Sequence, residues 1–246
     1  MFKILAFSGL LAGLLGFSVA ATATEDSRPL EYGYPDQSVW TTRLNDQGQL
    51  DNPLLRLAGR IFDEAGLEWT SRAYPAKRLF KSLKDGSVPF TMLVRASSLQ
   101  ECCLFGSEPL TSTTLRVFRA GDTAAIQAKE DLASKRVIVI RGYSYGAIGK
   151  FLRDPGNSVE LVEAARHEEA FELFRRGRGD YVLDYQGPAL EAIGDLGLDA
   201  LASDVLRELD VFLVLNKNFP DAEALMARLQ AIASGLDREA ILKASQ

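Results

Sequence analysis

The chain has 246 residues, of which 33 are acidic and 28 are lysine or arginine, so its formal net charge at pH 7 is −5. This acidic balance, with no basic stripe to neutralise phosphates, argues against binding to nucleic acid. The length is sufficient for one large domain or for two lobes with cores of their own.

The N-terminal segment has the pattern of an export signal. Lys3 precedes a long apolar stretch that ends in Ala-Thr-Ala at residues 21–23, the small-x-small pattern of a signal-peptidase site. The apolar stretch is only marginally long enough to span a membrane, and its small residues make it a poor anchor. We therefore expect residues 1–23 to be a cleaved signal peptide and the mature chain, starting near Thr24, to be a soluble protein of the bacterial periplasm.

Helical and strand-like patterns alternate along the rest of the chain. Residues 54–65 carry apolar side chains at helical spacing, with Pro53 suited to the first turn and Gly66 to the stop, and a second helix is predicted from Pro75 to Gly86. The later elements are, in order, the strands VPFTMLV, TLRVF and KRVIVI, a helix after GYSYG, the turn PGN, the strand VELVE, the helix RHEEAFELFRRG, the strands DYVLDY and LDVFLVL, and two helices. This alternation predicts an α/β fold, and because no flexible linker interrupts it, two lobes would have to be joined by ordered strands.

The recognisable catalytic motifs are missing. The P-loop, HExxH and CxxC patterns do not occur, and although GYSYG at residues 142–146 has the spelling of GxSxG, the sequence offers no recognisable nucleophile–base pair to accompany it. The single histidine, His167, lies in the acidic run ARHEEAFELF, where we expect a surface position and not a catalytic or metal-binding one. The sequence therefore predicts neither an enzyme nor a bound metal or cofactor.

The two cysteines, Cys102 and Cys103, are adjacent, and three states are open to them in an oxidising compartment. They form a strained vicinal disulfide, remain as two buried thiols, or pair between chains. Because an ordinary disulfide joins residues whose Cα atoms lie farther apart than those of neighbours, a vicinal disulfide demands a special turn. The loop-like sequence ECCLFGSEP favours a structural or weakly functional vicinal pair.

A short loop, GYSYG at residues 142–146, separates the apolar run RVIVI from a helix-like segment. Its glycines allow a sharp turn and a close approach to the backbone. In one interpretation Ser144 is simply the N-cap of the following helix. In the other, the loop and the first N–H groups of that helix bind a carboxylate or a phosphate.

Aromatic and charged residues also follow other predicted strands, at the ends where ligands collect in open α/β sheets. An aromatic cage with a guanidinium, an acid and a hydroxyl suits a small zwitterion or carboxylate. The candidate ligand-binding residues are Trp40, Tyr74, Arg78, Arg95, Tyr143, Ser144, Tyr145 and Asp184. Each also has an ordinary interpretation, as a core aromatic residue, a solvated arginine or a helix cap.

Five stretches stand in a familiar order: YPAKRLFKSLKDG, FGSEPLTSTTLRVFR, DLASKRVIVIRGYSYG, GRGDYVLDYQGPAL and LDVFLVLNKNFPDAEALMARLQAI. In their order and spacing the chain resembles the bacterial extracellular solute-binding proteins of family 3, the periplasmic receptors typified by polar amino-acid transport. The resemblance covers nearly all of the predicted mature chain.

The resemblance implies the two-lobed periplasmic-binding-protein (type II) fold, with a ligand cleft between lobes that two hinge strands join. It implies that lobe 1 comprises residues 24–116 and a C-terminal return at 211–246, that lobe 2 comprises residues 117–210, and that the lobes close over a ligand. In such proteins the serine of a GxS-type loop holds the ligand carboxylate, and Ser144 matches that position. The resemblance further implies a monomer that captures a small molecule for an ABC-type inner-membrane permease or for a receptor.

The sequence departs from the family pattern at three places. Gln100, in SSLQ, stands where the family usually has an arginine for the ligand carboxylate, and Arg95 is the nearest substitute. Tyr185 stands at the position of the amine-binding acid, while Asp184, one residue earlier, would point to the opposite face of its strand. The usual acidic-apolar signature after the first strand is replaced by GQLDNPLLRL. The ligand therefore stays open among an amino acid, another carboxylate, an aromatic compound and another small polar metabolite.

Two other functions are compatible with the sequence. One is a dehydratase or lyase on the same fold, which needs a carboxylate base over the ligand, and Asp184 and Glu101 are the candidates. The other is a ligand-sensing subunit that docks on a membrane receptor, since transport and sensing use the same closure.

Overall fold

The computed structural model describes residues 29–36, 52–198 and 200–243. The predicted signal peptide and Trp40 lie outside the described residues. Within these ranges nine strands join in one sheet. They are β1 (Leu30–Pro35), β2 (Trp69–Tyr74), β3 (Phe90–Val94), β4 (Cys103–Phe105), β5 (Thr111–Arg119), β6 (Arg136–Ile140), β7 (Glu160–Ala164), β8 (Tyr181–Tyr185) and β9 (Ala202–Asn216).

The strand order β2-β1-β3-β9-β5-β8-β6-β7 divides the sheet into two halves that meet at β5 and β9, with β4 paired to β9. β1 pairs in parallel with β2 and β3, and β6 pairs in parallel with β7 and β8. The long strand β9 is antiparallel to β5 over most of its length and then to β3 and β4. Its 15 residues span about 50 Å at the usual rise of a strand, so β9 belongs to both halves.

Helices cover the faces of the sheet. In chain order they are α1 (Pro53–Glu64), α2 (Ala76–Asp85), α3 (Ala147–Arg153), α4 (His167–Arg175), α5 (Gln186–Asp195), α6 (Ala222–Gly235) and α7 (Arg238–Lys243). The first begins where Asn52 Oδ1 accepts a hydrogen bond from the N–H of Leu55 at 2.7 Å. The second ends at Gly86, whose φ of +78° is the left-handed conformation that glycine adopts without a Cβ clash.

Each half of the sheet has a hydrophobic core on both of its faces. In the first half, Leu213 packs on the core that contains Phe62 and Phe90, and the next residue, Val214, packs on the opposite core with Leu79. In the second half, β6 alternates in the same way, and its residues Val137, Ile138, Val139 and Ile140 are all buried. Burial on both faces is the physical reason for the unbroken apolar run that the sequence shows there.

The sequence predicted most of these elements. The helices after Pro53 and Pro75, the strands around β3, β5, β6, β7 and β8 and the two last helices lie where the patterns placed them. β2, β4 and the first half of β9 were not predicted, because they are short or alternate with polar residues. The lobe boundaries at 116/117 and 210/211 stay a prediction.

Candidate functional site

A cavity of about 640 Å³ lies where the two halves of the sheet meet. Its walls come from the strand ends and helix starts of the first half, from the crossing strands β5 and β9, and from the loops of the second half. The lining residues are Pro35, Pro53, Leu54, Ala76, Phe80, Met92, Leu93, Val94, Thr111, Ser112, Thr113, Thr114, Tyr143, Ser144, Tyr185, Gln186, Gly187, Pro188, Glu191, Val211 and Leu242. Glu191 is the one formally charged residue among these described walls.

Two of the predicted ligand-binding residues, Tyr143 and Ser144, line this cavity. Tyr185 joins them, and its ring centroid lies 5.7 Å from that of Tyr143. Burial is the main cause that raises the pKa of both phenols above the usual value, with the charge of Asp184 adding to it. Both residues therefore present neutral hydroxyl groups at neutral pH.

The loop that carries them is tightly constrained. Gly142, Tyr145 and Gly146 all have positive φ, and Tyr145 is the costly one, because a side chain disfavours this conformation. Tyr145 is fully buried, and its hydroxyl accepts a hydrogen bond from the N–H of Ile140 at 2.7 Å. The structure thus places Tyr145 beneath the loop, as its anchor to β6, and not among the cavity walls as the sequence suggested.

Ser144 is not the N-cap of the next helix. That position belongs to Gly146, which makes no side-chain cap, and α3 is only seven residues long. A helix this short offers little dipole to an anion. The Ser144 hydroxyl makes no hydrogen bond with any described residue and lies in the cavity wall, so it is available to a ligand.

Asp184 and His167 form a buried pair away from the cavity walls. Both side chains are fully buried, and His167 Nδ1 lies 2.6 Å from Asp184 Oδ2. The expected surface position of His167 is therefore wrong, because it shares the buried stripe of α4 with Ala170 and Phe171. The predicted contact of Asp184 with a ligand amine lacks access, since strand alternation turns Asp184 to the other face of β8 from Tyr185.

The described candidates of the first half, Arg95, Arg78 and Tyr74, also lie outside the cavity walls. The Arg95 guanidinium stacks on Phe212, 4.2 Å from its ring centroid, and donates a hydrogen bond to the carbonyl of Gly106. Arg78 is exposed on α2. The Tyr74 hydroxyl is hydrogen bonded to Glu31, and burial is the main cause of its raised pKa.

Cys102 and Cys103 are two free thiols in this structure, with their sulfur atoms 3.2 Å apart, and the vicinal disulfide stays a prediction. Burial raises the pKa of the Cys103 thiol to about 12, which keeps it protonated at neutral pH. Glu101, the second candidate base for a lyase, is exposed beside them and not among the lining residues. Neither candidate base of the lyase hypothesis therefore lines the cavity.

The hydroxyl-rich segment Thr111–Thr114 of β5 contributes four lining residues that the sequence interpretation missed. Its signal was visible as the run TSTT directly before an apolar strand. Gln186, Gly187 and Pro188 at the start of α5 were missed as well, because the sequence patterns predict no helix directly after Tyr185.

No protein-family model and no curated protein sequence matches the chain. Solved structures do match it. A histidine kinase sensor domain with similarity to periplasmic binding proteins superposes with a TM-score of 0.74 at 19% identity, over 87% of this chain and 94% of that one. The substrate-binding protein of an amino acid ABC transporter superposes with a TM-score of 0.69 at 14% identity, over 88% and 96%.

This chain has the two-lobed fold of the periplasmic binding proteins. An ancestral arginine-binding protein bound to arginine matches it in the same way, with a TM-score of 0.71 at 16% identity over 89% of this chain and 96% of that one. The resemblance inferred from the sequence is thereby confirmed for the fold. In this fold the cavity occupies the cleft between the lobes, and β5 and β9 are the connecting strands.

The described residues contain no cluster of three or more metal-ligating side chains. No helix within the described ranges is long and apolar enough to cross a membrane.

Proposed function

We propose that this protein is a periplasmic solute-binding protein that captures a small polar or zwitterionic ligand, an amino acid or related carboxylate, by closing its lobes. The observation that carries the proposal is the 640 Å³ cavity between the lobes, which lies within the usual range for small-molecule sites. Both lobes and both connecting strands contribute to its walls, so a ligand held there would contact every part that moves on closure.

The ligand would be held by hydroxyl groups against largely apolar walls. Ser144 and Tyr143 offer hydroxyls from lobe 2, and Thr111–Thr114 offers more from the connecting strand, while Phe80 supplies an aromatic wall from lobe 1. No arginine or lysine belongs to the described walls, which supports a ligand whose recognition relies on hydrogen bonds and apolar contact. Trp40 stays a predicted wall residue.

The partner would be an inner-membrane protein. The similarity to the binding protein of an amino acid ABC transporter supports delivery to a permease in the inner membrane. That the protein acts as a monomer stays a prediction. The similarity to a histidine kinase sensor domain supports a second candidate, in which closure signals to a receptor. The two candidates share the ligand and differ in what recognises the closed form.

A thermal-shift screen of the chain from Thr24 tests the proposal directly. The panel comprises amino acids, polyamines, organic acids and aromatic metabolites. A ligand present at 100 times its Kd stabilises the folded state by about 2.7 kcal/mol, which raises Tm by roughly 5 to 10 °C for a protein of this size. A folded, ligand-free preparation that gives no shift across the panel would contradict the proposal.

Ser144→Ala tests the site. Removal of the hydroxyl should weaken binding of the ligand identified by the screen about fivefold to tenfold, as loss of one hydrogen bond does, with Tm of the free protein little changed. Ser98→Ala is the matched control, because Ser98 is exposed and is not a lining residue. Equal affinities of the two variants by titration calorimetry would remove Ser144 from the site.

A further inference from the structure

The buried pair of Asp184 and His167 continues to the wall of the cleft. His167 Nδ1 lies 2.6 Å from Asp184 Oδ2, and His167 Nε2 lies 3.3 Å from the hydroxyl of Tyr143. The histidine and the aspartate have no exposed surface, whereas Tyr143 is partly exposed and lines the cavity. A chain of three side chains thus leads from the interior of lobe 2 to the proposed ligand.

The direction of each hydrogen bond among these three side chains follows from the Asp184 carboxylate at the buried end. An aspartate carboxylate accepts hydrogen bonds and donates none, so Nδ1 of His167 carries the proton. An imidazole that carries its one proton on Nδ1 presents Nε2 as an acceptor, to which the Tyr143 hydroxyl donates its only proton. The lone pairs of the phenol oxygen are left to accept from another donor.

The surroundings of Tyr143 also keep its phenol protonated, as a donor to His167 must be. Burial and then the charges of Asp184, Tyr185 and Asp36 raise the pKa of Tyr143 well above its usual value, so the phenol keeps its proton. Asp36 directly follows β1, and its charge is the smallest of these causes. The phenol oxygen of Tyr143, with its only proton donated to His167, is therefore an acceptor at the wall of the cleft.

We propose that Asp184 and His167 are positioning residues that hold the Tyr143 hydroxyl as a hydrogen-bond acceptor, so that the cleft selects a ligand group that donates an N–H or O–H. This inference rests on the proposed function, because it assigns the polarity of one wall of the same cleft. A buried polar group set in one direction disfavours a ligand of the wrong polarity, since the mismatched group stays unpaired.

The Asp184→Asn substitution should reverse the direction of both hydrogen bonds, the one between Asp184 and His167 and the one between His167 and Tyr143, while a side chain of the same shape is kept. Asp184 Oδ1 accepts from the backbone N–H of Tyr185 at 2.8 Å, and this backbone donor cannot change. The single oxygen of an asparagine must therefore face Tyr185, and its NH₂ group must face His167 Nδ1. Nδ1 becomes an acceptor, the proton moves to Nε2, and the Tyr143 hydroxyl is freed to donate into the cleft.

Because His167 is the single histidine of the protein, the position of the proton on its ring can be measured without any ligand. In protein labelled with ¹⁵N and prepared without a histidine tag, long-range ¹H–¹⁵N spectra should show a protonated Nδ1 and an unprotonated Nε2. The Asp184→Asn variant should show the opposite tautomer. A proton on Nε2 of the wild-type protein would overturn the inference, and this spectrum stands even if the variant fails to fold.

Binding of two probes of similar size and opposite polarity, phenethylamine and 3-phenylpropanoate, tests the consequence. Asp184→Asn should shift the ratio of their Kd values by about tenfold toward the carboxylate, the cost of one mismatched hydrogen bond. Tyr143→Phe should abolish that shift in the double variant, whereas loss of the Asp184 charge alone would shift the ratio equally in both backgrounds. An equal shift overturns the inference.

The two proposals fail in different experiments. Absence of any ligand across the thermal-shift panel, with the expected His167 tautomer in place, counts against the proposed function alone. A bound ligand with the opposite tautomer counts against the positioning role alone.

Discussion

At the residue scale, the constraint on the GYSYG loop extends to a glycine inside the next helix. A Cβ built on Gly149 would lie 2.0 Å from the carbonyl oxygen of Ser144, closer than any side chain tolerates. Because Gly149 has no Cβ, the loop can pack closely against α3. This close packing determines the position of Ser144 at the cleft.

Gly149→Ala should destabilise the protein by about 1–3 kcal/mol, because either the loop or the helix must move. Gly194→Ala is its matched control, since a Cβ there meets nothing within 4 Å and the helix gains up to about 1 kcal/mol from alanine. Urea unfolding measures both variants. A Gly149→Ala variant as stable as the wild type would mean that the loop yields at no cost.

The positions and partners of individual side chains were the part of the structure that the sequence predicted least well. The sequence identified Tyr143 and Ser144 from their loop, but it assigned His167 to a surface because of the glutamates beside it. The spacing of His167, Ala170 and Phe171 at i, i+3 and i+4 already indicated a buried helix face. Side-chain partners such as Asp184 and His167, 17 residues apart, depend on packing that no local pattern contains.

At the element scale, the paired strands β5 and β9 are fastened by an ion pair. The Arg119 guanidinium contacts both oxygens of Asp204, at 2.8 and 3.2 Å, and the N–H of Ile126 donates to the same carboxylate at 3.0 Å. The hydrogen bond from Arg119 is the largest cause that lowers the pKa of Asp204, and the bond from Ile126 adds to it.

A lowered pKa in the folded state implies a stabilisation that is present above the unfolded pKa, near 3.9, and is lost as the pH falls through the folded value. Asp204→Asn should therefore be less stable than the wild type at pH 6, and the difference should shrink steadily below about pH 4. Guanidinium unfolding at a series of pH values measures it. The exposed Asp122→Asn provides the control, and a pH-independent gap for Asp204→Asn would contradict the assignment.

The regular elements were the part of the fold that the sequence predicted well. Long apolar helices with clear ends, such as α1 and α2, and fully buried strands, such as β6, carry their signal within a few residues. The first half of β9 does not, because its pairing with β5 leaves alternate residues exposed and its partner lies about 90 residues earlier in the chain.

At the scale of the whole molecule, the two lobes have separate hydrophobic cores. Phe62 packs edge-on against Phe90 at 4.9 Å in lobe 1, and Phe171 packs edge-on against Phe118 at 5.3 Å in lobe 2. Each of these side chains is essentially fully buried. The proposed lobe boundaries at 116/117 and 210/211 assign the two pairs to different lobes.

Phe62→Ala and Phe171→Ala are therefore each expected to lower the free energy of unfolding by about 3–5 kcal/mol. The two substitutions should loosen different parts of the chain. Hydrogen exchange followed by mass spectrometry should show lost protection mainly in lobe 1 for Phe62→Ala and mainly in residues 117–210 for Phe171→Ala. Each variant is the control for the other. A uniform loss of protection in both would contradict the proposed division into lobes.

The arrangement of β5 and β9 also has a consequence for the order in which the chain acquires its structure. Ser112 is paired with Asp210. The proposed lobe 2, residues 117–210, is therefore one continuous segment of the chain, and it leaves and re-enters the sheet at neighbouring positions. The core of lobe 1, in contrast, includes Leu213, Leu229 and Ala233, close to the last residues of the chain. The proposed lobe 2 is thus complete while the proposed lobe 1 still lacks part of its interior, and we expect a chain that emerges N-terminus first to fold lobe 2 before lobe 1.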